Sequence, residues 1–175
     1  MKRLQSDHSG VIEGELMERQ SILVVDDDEQ VRRFLMDFFV DLGWDVVTAD
    51  SGEDALIKFS PQRFDIIISD YVMPGINGVE LLKQLIVKDP KVLFFLITGY
   101  PTLEIAVDAI KNGAYDYIVK PFNLEDLKIK VERAVMTDQL KSSLKKVSGV
   151  LWALIISVPI WIILGILLGF VWKRG

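Results

Sequence analysis

Five polar positions in this chain sit directly behind short apolar runs. Asp26 and Asp27 follow Ile22-Leu23-Val24-Val25, and Asp70 follows Ile66-Ile67-Ile68-Ser69. Thr98 follows Phe94-Phe95-Leu96-Ile97, and Lys120 follows Tyr117-Ile118-Val119. If the runs are strands brought side by side, the carboxylates converge and repel one another unless a cation sits between them. Mg²⁺ suits such a place, because it prefers a few carboxylates together with waters and phosphate oxygens. An aspartate beside that cation can attack a phosphoryl donor and hold the group as an acyl phosphate. A lysine then offers a point charge to the phosphoryl oxygens, and a threonine hydroxyl offers a hydrogen bond.

The text between these positions supplies the elements that must hold them. After Asp26-Asp27-Asp28, apolar residues recur at Val31, Phe34, Leu35, Phe38, Phe39 and Leu42, one wide helical stripe closed by Gly43. Asp28 reads as the helix cap. A strand is expected around Val46-Val47-Thr48, then a helix from Glu53 to Phe59 stopped by Ser60-Pro61. Asp65 to Ser69 is a third strand, Pro74-Gly75-Ile76-Asn77-Gly78 is turn chemistry, and a helix follows through Leu81, Leu82, Leu85 and Ile86. Val92 to Ile97 is the fourth strand, Leu103 to Lys111 a helix closed by Asn112-Gly113, and Asp116 to Val119 the fifth strand. Asn123 is an N-cap with Asp126 three residues on, in the manner of a capping box. The helix it starts carries Leu124, Leu127, Val131, Ala134 and Val135 on one face. Five strand–helix units in about 120 residues imply an α/β fold, a parallel sheet with helices on both faces. In such a sheet the crevice lies at the carboxyl ends of the strands, where the five polar positions fall.

Composition removes other chemistries. There is no cysteine among the 175 residues, which excludes disulfides, thiolate metal sites and cysteine nucleophiles. The single histidine, His8, lies in a polar leader without a partner in sequence. A net charge of −5 argues against nucleic acid as a partner, since phosphate binding needs a basic footprint.

The strings VVDDDEQVRRFL, IIISDYVMPGINGVELL, FFLITGY and GAYDYIVKPF, in that order, resemble the receiver domain of response regulators over residues 21–140. The resemblance implies a doubly wound, flavodoxin-like sheet of five parallel strands in the order 2-1-3-4-5. It implies that Asp70 is the phosphoacceptor, fed by a histidine kinase or histidine phosphotransfer protein in two-component signalling. It implies Mg²⁺ held by the side chains of Asp27 and Asp70 and the main-chain carbonyl of Val72, with Asp26 helping through water. Thr98 is then the switch hydroxyl, Lys120 the phosphoryl contact, Lys120-Pro121 a cis peptide, and Tyr117 the aromatic whose inward or outward rotamer reports the switch. The chain is expected to be no enzyme beyond Mg²⁺-dependent self-phosphorylation and self-dephosphorylation. The positions that set the phosphoryl lifetime in this family are Val72 and Tyr100 here; neither orients a water well, which predicts slow self-dephosphorylation.

The expected organisation is a flexible leader (1–20), the receiver (21–140), a basic linker (141–146), one transmembrane helix (147–172) and a short tail (173–175). From Val147 to Trp172 run 26 residues without a charge, about 39 Å as a helix against a hydrocarbon core of about 30 Å. Residues 1 to 20 hold no long apolar run, so no signal peptide or N-terminal anchor is expected. The phosphodonor and Mg²⁺ are cytoplasmic, so the receiver is expected on the cytoplasmic side of the inner membrane, with a single pass. Gly165 and Gly169 form a G-x-x-x-G, a spacing that admits a homodimer. No room is left for an output domain, so output is expected through protein contacts with a downstream partner the sequence does not name. Two other readings compete. One is a haloacid-dehalogenase-like phosphatase using Asp26 in an Asp26-x-Asp28 pair, and the other a non-phosphorylated membrane adaptor.

Overall fold

The computed structural model describes residues 20–60, 62–142, 144 and 157. The chain forms two compact units, Met1–Leu127 and Lys128–Gly175. In the first unit, strands β1 (Ser21–Val25), β2 (Asp45–Ala49), β3 (Ile66–Asp70), β4 (Leu93–Thr98) and β5 (Asp116–Val119) alternate with helices. The helices are α1 (Glu29–Asp41), α2 (Gly52–Phe59), α3 (Gly78–Lys88) and α4 (Leu103–Lys111), and residues 124–127 are helical after β5. In the second unit every described residue is helical, and among the described residues no helix is long and apolar enough to cross a membrane. The expected leader, span and tail lie outside the described residues, apart from Gln20 and Ser157.

The five strands form one parallel sheet in the order β2-β1-β3-β4-β5, as expected. Parallel strands carry helices on both faces, so their residues are buried on both sides and read as apolar runs rather than alternations. All five residues of β3 are buried, as are Ile22 to Val25 of β1 and Phe94 to Thr98 of β4. Each fully buried Ile, Leu or Phe stabilises the fold by about 1.5–3 kcal/mol. Register decides where the runs end. Val25 lies beside Ser69, Asp70 beside Ile97, and Thr98 beside Val119, so the residues after these pairs share one edge.

Helix starts are fixed by side-chain caps. Asp28 Oδ1 accepts from the Gln30 N–H at 2.8 Å, Ser51 caps α2, and Thr102 caps α4. Asn77 and Glu80 form a reciprocal capping box on α3, which the sequence reading passed over as turn chemistry. At Asn123 the expected N-cap is made, on the second helical N–H rather than the third, and the expected box is not. Its side chain accepts from the Glu125 N–H at 2.7 Å, and among the described bonds the return from Asp126 is absent. Asp126 is one methylene shorter than the glutamate that completes the box on α3. The stripe on α1 is also narrower than expected. Leu35 and Phe39 are buried, whereas Phe34 is 56 % exposed, because the sheet covers only an i, i+4 seam of this helix. Gly43 ends the helix turn at φ 83°, a conformation that suits glycine. Gly78 serves packing instead. A Cβ there would strike the Asp70 carbonyl and Leu96, so α3 can start this close to β3 only without a side chain.

Candidate functional site

The carboxyl edge of the sheet gathers the residues singled out from sequence. Ligand oxygens of Asp26, Asp27 and Asp70 all lie within 4.8 Å of one another. Asp26 is only 3 % exposed, Asp70 9 %, and Thr98 fully buried, while Asp27 faces solvent. Lys120 reaches in from the end of β5 and donates to Asp26 Oδ2 at 2.8 Å and to Asp70 Oδ2 at 2.9 Å. The sequence placed Lys120 at this edge; its bridging of both aspartates is a finding of the structure. The Lys120-Pro121 bond is cis.

The oxygens divide cleanly. Asp26 Oδ1 accepts from the Asp28 N–H at 2.9 Å, and Asp70 Oδ1 from the Tyr71 N–H at 2.8 Å. Asp27 accepts no hydrogen bond among the described residues. Three carboxylates meet one ammonium here, Asp26 and Asp70 buried against Lys120 and Asp27 at the solvent side. Burial accordingly raises the Asp26 pKa above its usual 3.8, with the Lys120 hydrogen bond acting in the opposite sense. Burial also disfavours the Lys120 charge, but its two aspartate partners prevail and raise its pKa above 10.5. A compact set of anionic oxygens with surplus negative charge fits a hard divalent cation, and Asp27 has its carboxylate available for one. Val72, two residues past Asp70, is 46 % exposed, and its carbonyl accepts no bond among the described residues.

Neighbouring groups hold the edge in place. Arg32 Nη1 donates to the Asp26 main-chain carbonyl at 2.6 Å, tying α1 to the end of β1. The repeated Arg in the sequence gave no sign of this reach across six residues. Thr98 Oγ1 accepts from the Tyr100 N–H at 3.1 Å, and the Thr98 carbonyl takes the Lys120 N–H at 2.8 Å. Threonine and lysine are therefore linked through backbone as well as by position. Tyr117 points inward. Its hydroxyl is shut off from solvent without a well-formed hydrogen bond, although the Thr102 backbone is close enough to influence it. Burial raises its pKa above 10.0; the Thr102 backbone opposes that rise and Tyr71 adds to it.

Sheet order and acidic edge together define a doubly wound α/β protein with a cluster of carboxylates at the carboxyl ends of its strands. The family model for the response regulator receiver domain matches residues 22–132, and the chain belongs to that family. It is 35 % identical over 124 residues to the regulatory protein AtoC of Escherichia coli (strain K12), covering 71 % of this chain and 27 % of AtoC. It is 34 % identical over 119 residues to the DNA-binding transcriptional regulator NtrC of Salmonella typhimurium, covering 68 % and 25 %. The chain thus spans about a quarter of the length of these curated relatives. Among solved structures, a CheY-like receiver domain protein from Methanospirillum hungatei JF-1 superposes with a TM-score of 0.69 at 28 % identity. That match covers 71 % of this chain and 99 % of the other. NtrX from Brucella abortus gives a TM-score of 0.70 at 31 % identity, over 74 % of this chain and 30 % of NtrX. The chain therefore carries a receiver domain of two-component response regulators, a family whose members in general accept phosphoryl groups rather than turn over substrates.

Proposed function

We propose that this chain is a membrane-anchored receiver that takes a phosphoryl group onto Asp70 from a histidine kinase or histidine phosphotransfer protein. The convergence of Asp26, Asp27 and Asp70 within 4.8 Å, with Lys120 on Asp70, carries the reading. In this assignment Asp27, Asp70 and the Val72 carbonyl hold Mg²⁺, and Asp26 supports it through water. The bound cation supplies charge neutralisation that lets an anionic phosphoryl donor approach an anionic aspartate. An Asp70 carboxylate oxygen then forms the new bond to phosphorus while the donor's own bond to phosphorus breaks, its electron pair leaving with the donor. Lys120 exchanges part of its contact with Asp70 for a phosphoryl oxygen. Thr98 gives up the Tyr100 N–H to hydrogen-bond the same group, and Tyr117 follows as the aromatic of the switch.

Residues 147–172 anchor the receiver in the cytoplasmic membrane as a single pass, because 26 consecutive uncharged residues are long enough to cross the hydrocarbon core. Output passes through protein contacts, and a net charge of −5 keeps nucleic acid from being the direct partner. The phosphatase reading finds no support, since Asp28 spends its side chain on the α1 cap.

The full chain in detergent, incubated with acetyl phosphate and Mg²⁺, is expected to gain one phosphoryl group that hydroxylamine removes. Fractionated cells are expected to retain the chain in membranes after alkaline carbonate. An absent adduct overturns phosphoryl acceptance and favours the adaptor reading; recovery in the soluble fraction overturns anchoring. Lifetime gives a separate prediction. Val72 is exposed and apolar, and Tyr100 is 71 % exposed, so neither aligns a water on phosphorus. Val72→Asn is expected to shorten the phosphoryl half-life by about tenfold or more, read by the decay of the adduct after donor removal.

A further inference from the structure

The arc 72–76 carries the Val72 carbonyl from the end of β3 toward α3, and it has very little backbone support. Tyr71 before it donates to Ile97 and accepts from the Gly78 N–H at 3.0 Å, which closes the arc at its base, and Asn77 after it belongs to the α3 capping box. Between them, among the described residues, a single hydrogen bond is made: the Ile76 N–H donates to Glu53 Oε1 at 3.2 Å, across 23 residues. Glu53 lies in the first turn of α2, an element with no other part in the site.

Two glycines make the contact possible. Gly75 has φ 76°, and a Cβ on it would collide with the Glu53 carboxylate. Gly52, beside Glu53, leaves the space that the Ile76 side chain fills, and a Cβ there would collide with Ile76 Cγ1. Gly52-Glu53 on α2 and Gly75-Ile76 on the arc thus interlock by shape as well as by hydrogen bond. Position 53 also sits at the helix N-terminus, where a carboxylate is stabilised.

We infer that Glu53 is a positioning residue for the cation site: it holds the arc so that the Val72 carbonyl stands where a bound Mg²⁺ needs it. The inference rests on the functional reading above, which supplies the role of Val72. A carbonyl on an unsupported arc can still bind the ion, but only after the arc is ordered, and that ordering weakens binding without touching the acidic triad. Loss of one such hydrogen bond corresponds to a change of about three- to tenfold in an equilibrium constant.

The test uses the full chain in detergent with Glu53→Ala and Glu53→Gln, the second retaining an acceptor oxygen. Mg²⁺ affinity is read directly by titration calorimetry, and the rate of adduct formation from acetyl phosphate is read against Mg²⁺ concentration. Glu53→Ala is expected to raise the Mg²⁺ dissociation constant about three- to tenfold. It is expected to slow adduct formation at low Mg²⁺ and to recover the wild-type rate at saturation. Glu53→Gln is expected to stay within about twofold of wild type on both. Two results overturn the inference: unchanged Mg²⁺ affinity in Glu53→Ala, or a rate loss that saturating Mg²⁺ does not restore. If wild type binds Mg²⁺ but forms no adduct, the functional reading fails while the calorimetric comparison still decides the role of Glu53.

Discussion

Asp70→Asn is expected to remove adduct formation completely, whereas Asp26→Asn is expected to slow it and leave the adduct on Asp70. The difference follows from what each oxygen faces. Asp70 ends β3 at the centre of the sheet, and among the described residues its Oδ2 is held by the ammonium of Lys120 alone. An asparagine amide has no anionic oxygen to form the bond to phosphorus. Asp26 sits deeper, with one oxygen on the Asp28 N–H and the other on Lys120, so on the proposed assignment it would support the ion rather than bond to phosphorus. Loss of such a supporting carboxylate weakens metal binding about 10- to 100-fold. Intact-mass measurement after incubation with acetyl phosphate, over a range of Mg²⁺ concentrations, checks both. Continuous release of inorganic phosphate that Asp26→Asn abolishes would instead restore the phosphatase reading.

Saturating Mg²⁺ is expected to raise the unfolding midpoint of the first unit, and Asp26→Asn to raise it in the metal-free chain. With ion at 100-fold over its dissociation constant, linkage gives about 2.7 kcal/mol. Metal-free, the buried Asp26 works against the fold at neutral pH. Its pKa is higher folded than unfolded, so it favours the fold below about pH 3.8, and that contribution is lost as pH rises through the raised value. Lys120, also raised, favours the fold up to its ordinary 10.5 and loses that contribution only above it. Removing the Asp26 charge at pH 7 therefore relieves the crowding and leaves Lys120 to Asp70. A gain on the order of 1 kcal/mol, or about 4 °C, is expected by thermal denaturation in EDTA. The Mg²⁺ increment is expected to shrink in the same variant and, in wild type, to fade as the carboxylates protonate in acid. A metal-free midpoint that falls in Asp26→Asn would show that its bond to Lys120 outweighs desolvation.

The sheet and the members of its reactive edge were legible in the sequence for a common reason. Parallel strands buried on both faces announce themselves as unbroken apolar runs, and the chemistry must stand at their carboxyl ends, so Asp26, Asp70, Thr98 and Lys120 could be placed by counting. Strand and helix limits shifted by a residue, as at β2 and β4, because a ladder bond can form beyond the last apolar side chain. What stayed hidden were contacts between distant segments. Nothing local to Glu53 or Arg32 distinguishes them from solvated charges, and their roles depend on where Ile76 and the Asp26 carbonyl arrive after folding. The burial of one α1 seam and the exposure of Phe34 likewise depend on how the sheet meets the helix. Both residues belong to the same apolar stripe in sequence.

The inward hydroxyl of Tyr117 has a consequence for how easily the resting arrangement gives way. A buried hydroxyl without a full partner forgoes about 1–3 kcal/mol relative to one in water, so this ring is restrained by its apolar body while its tip is drawn outward. On the proposed switch role of Tyr117, the domain at rest would be loaded like a latch with a weak spring behind it, and a small rearrangement at Thr98 would need to add little for the ring to leave. Tyr117→Phe would unload that spring, giving a chain that melts higher and moves less.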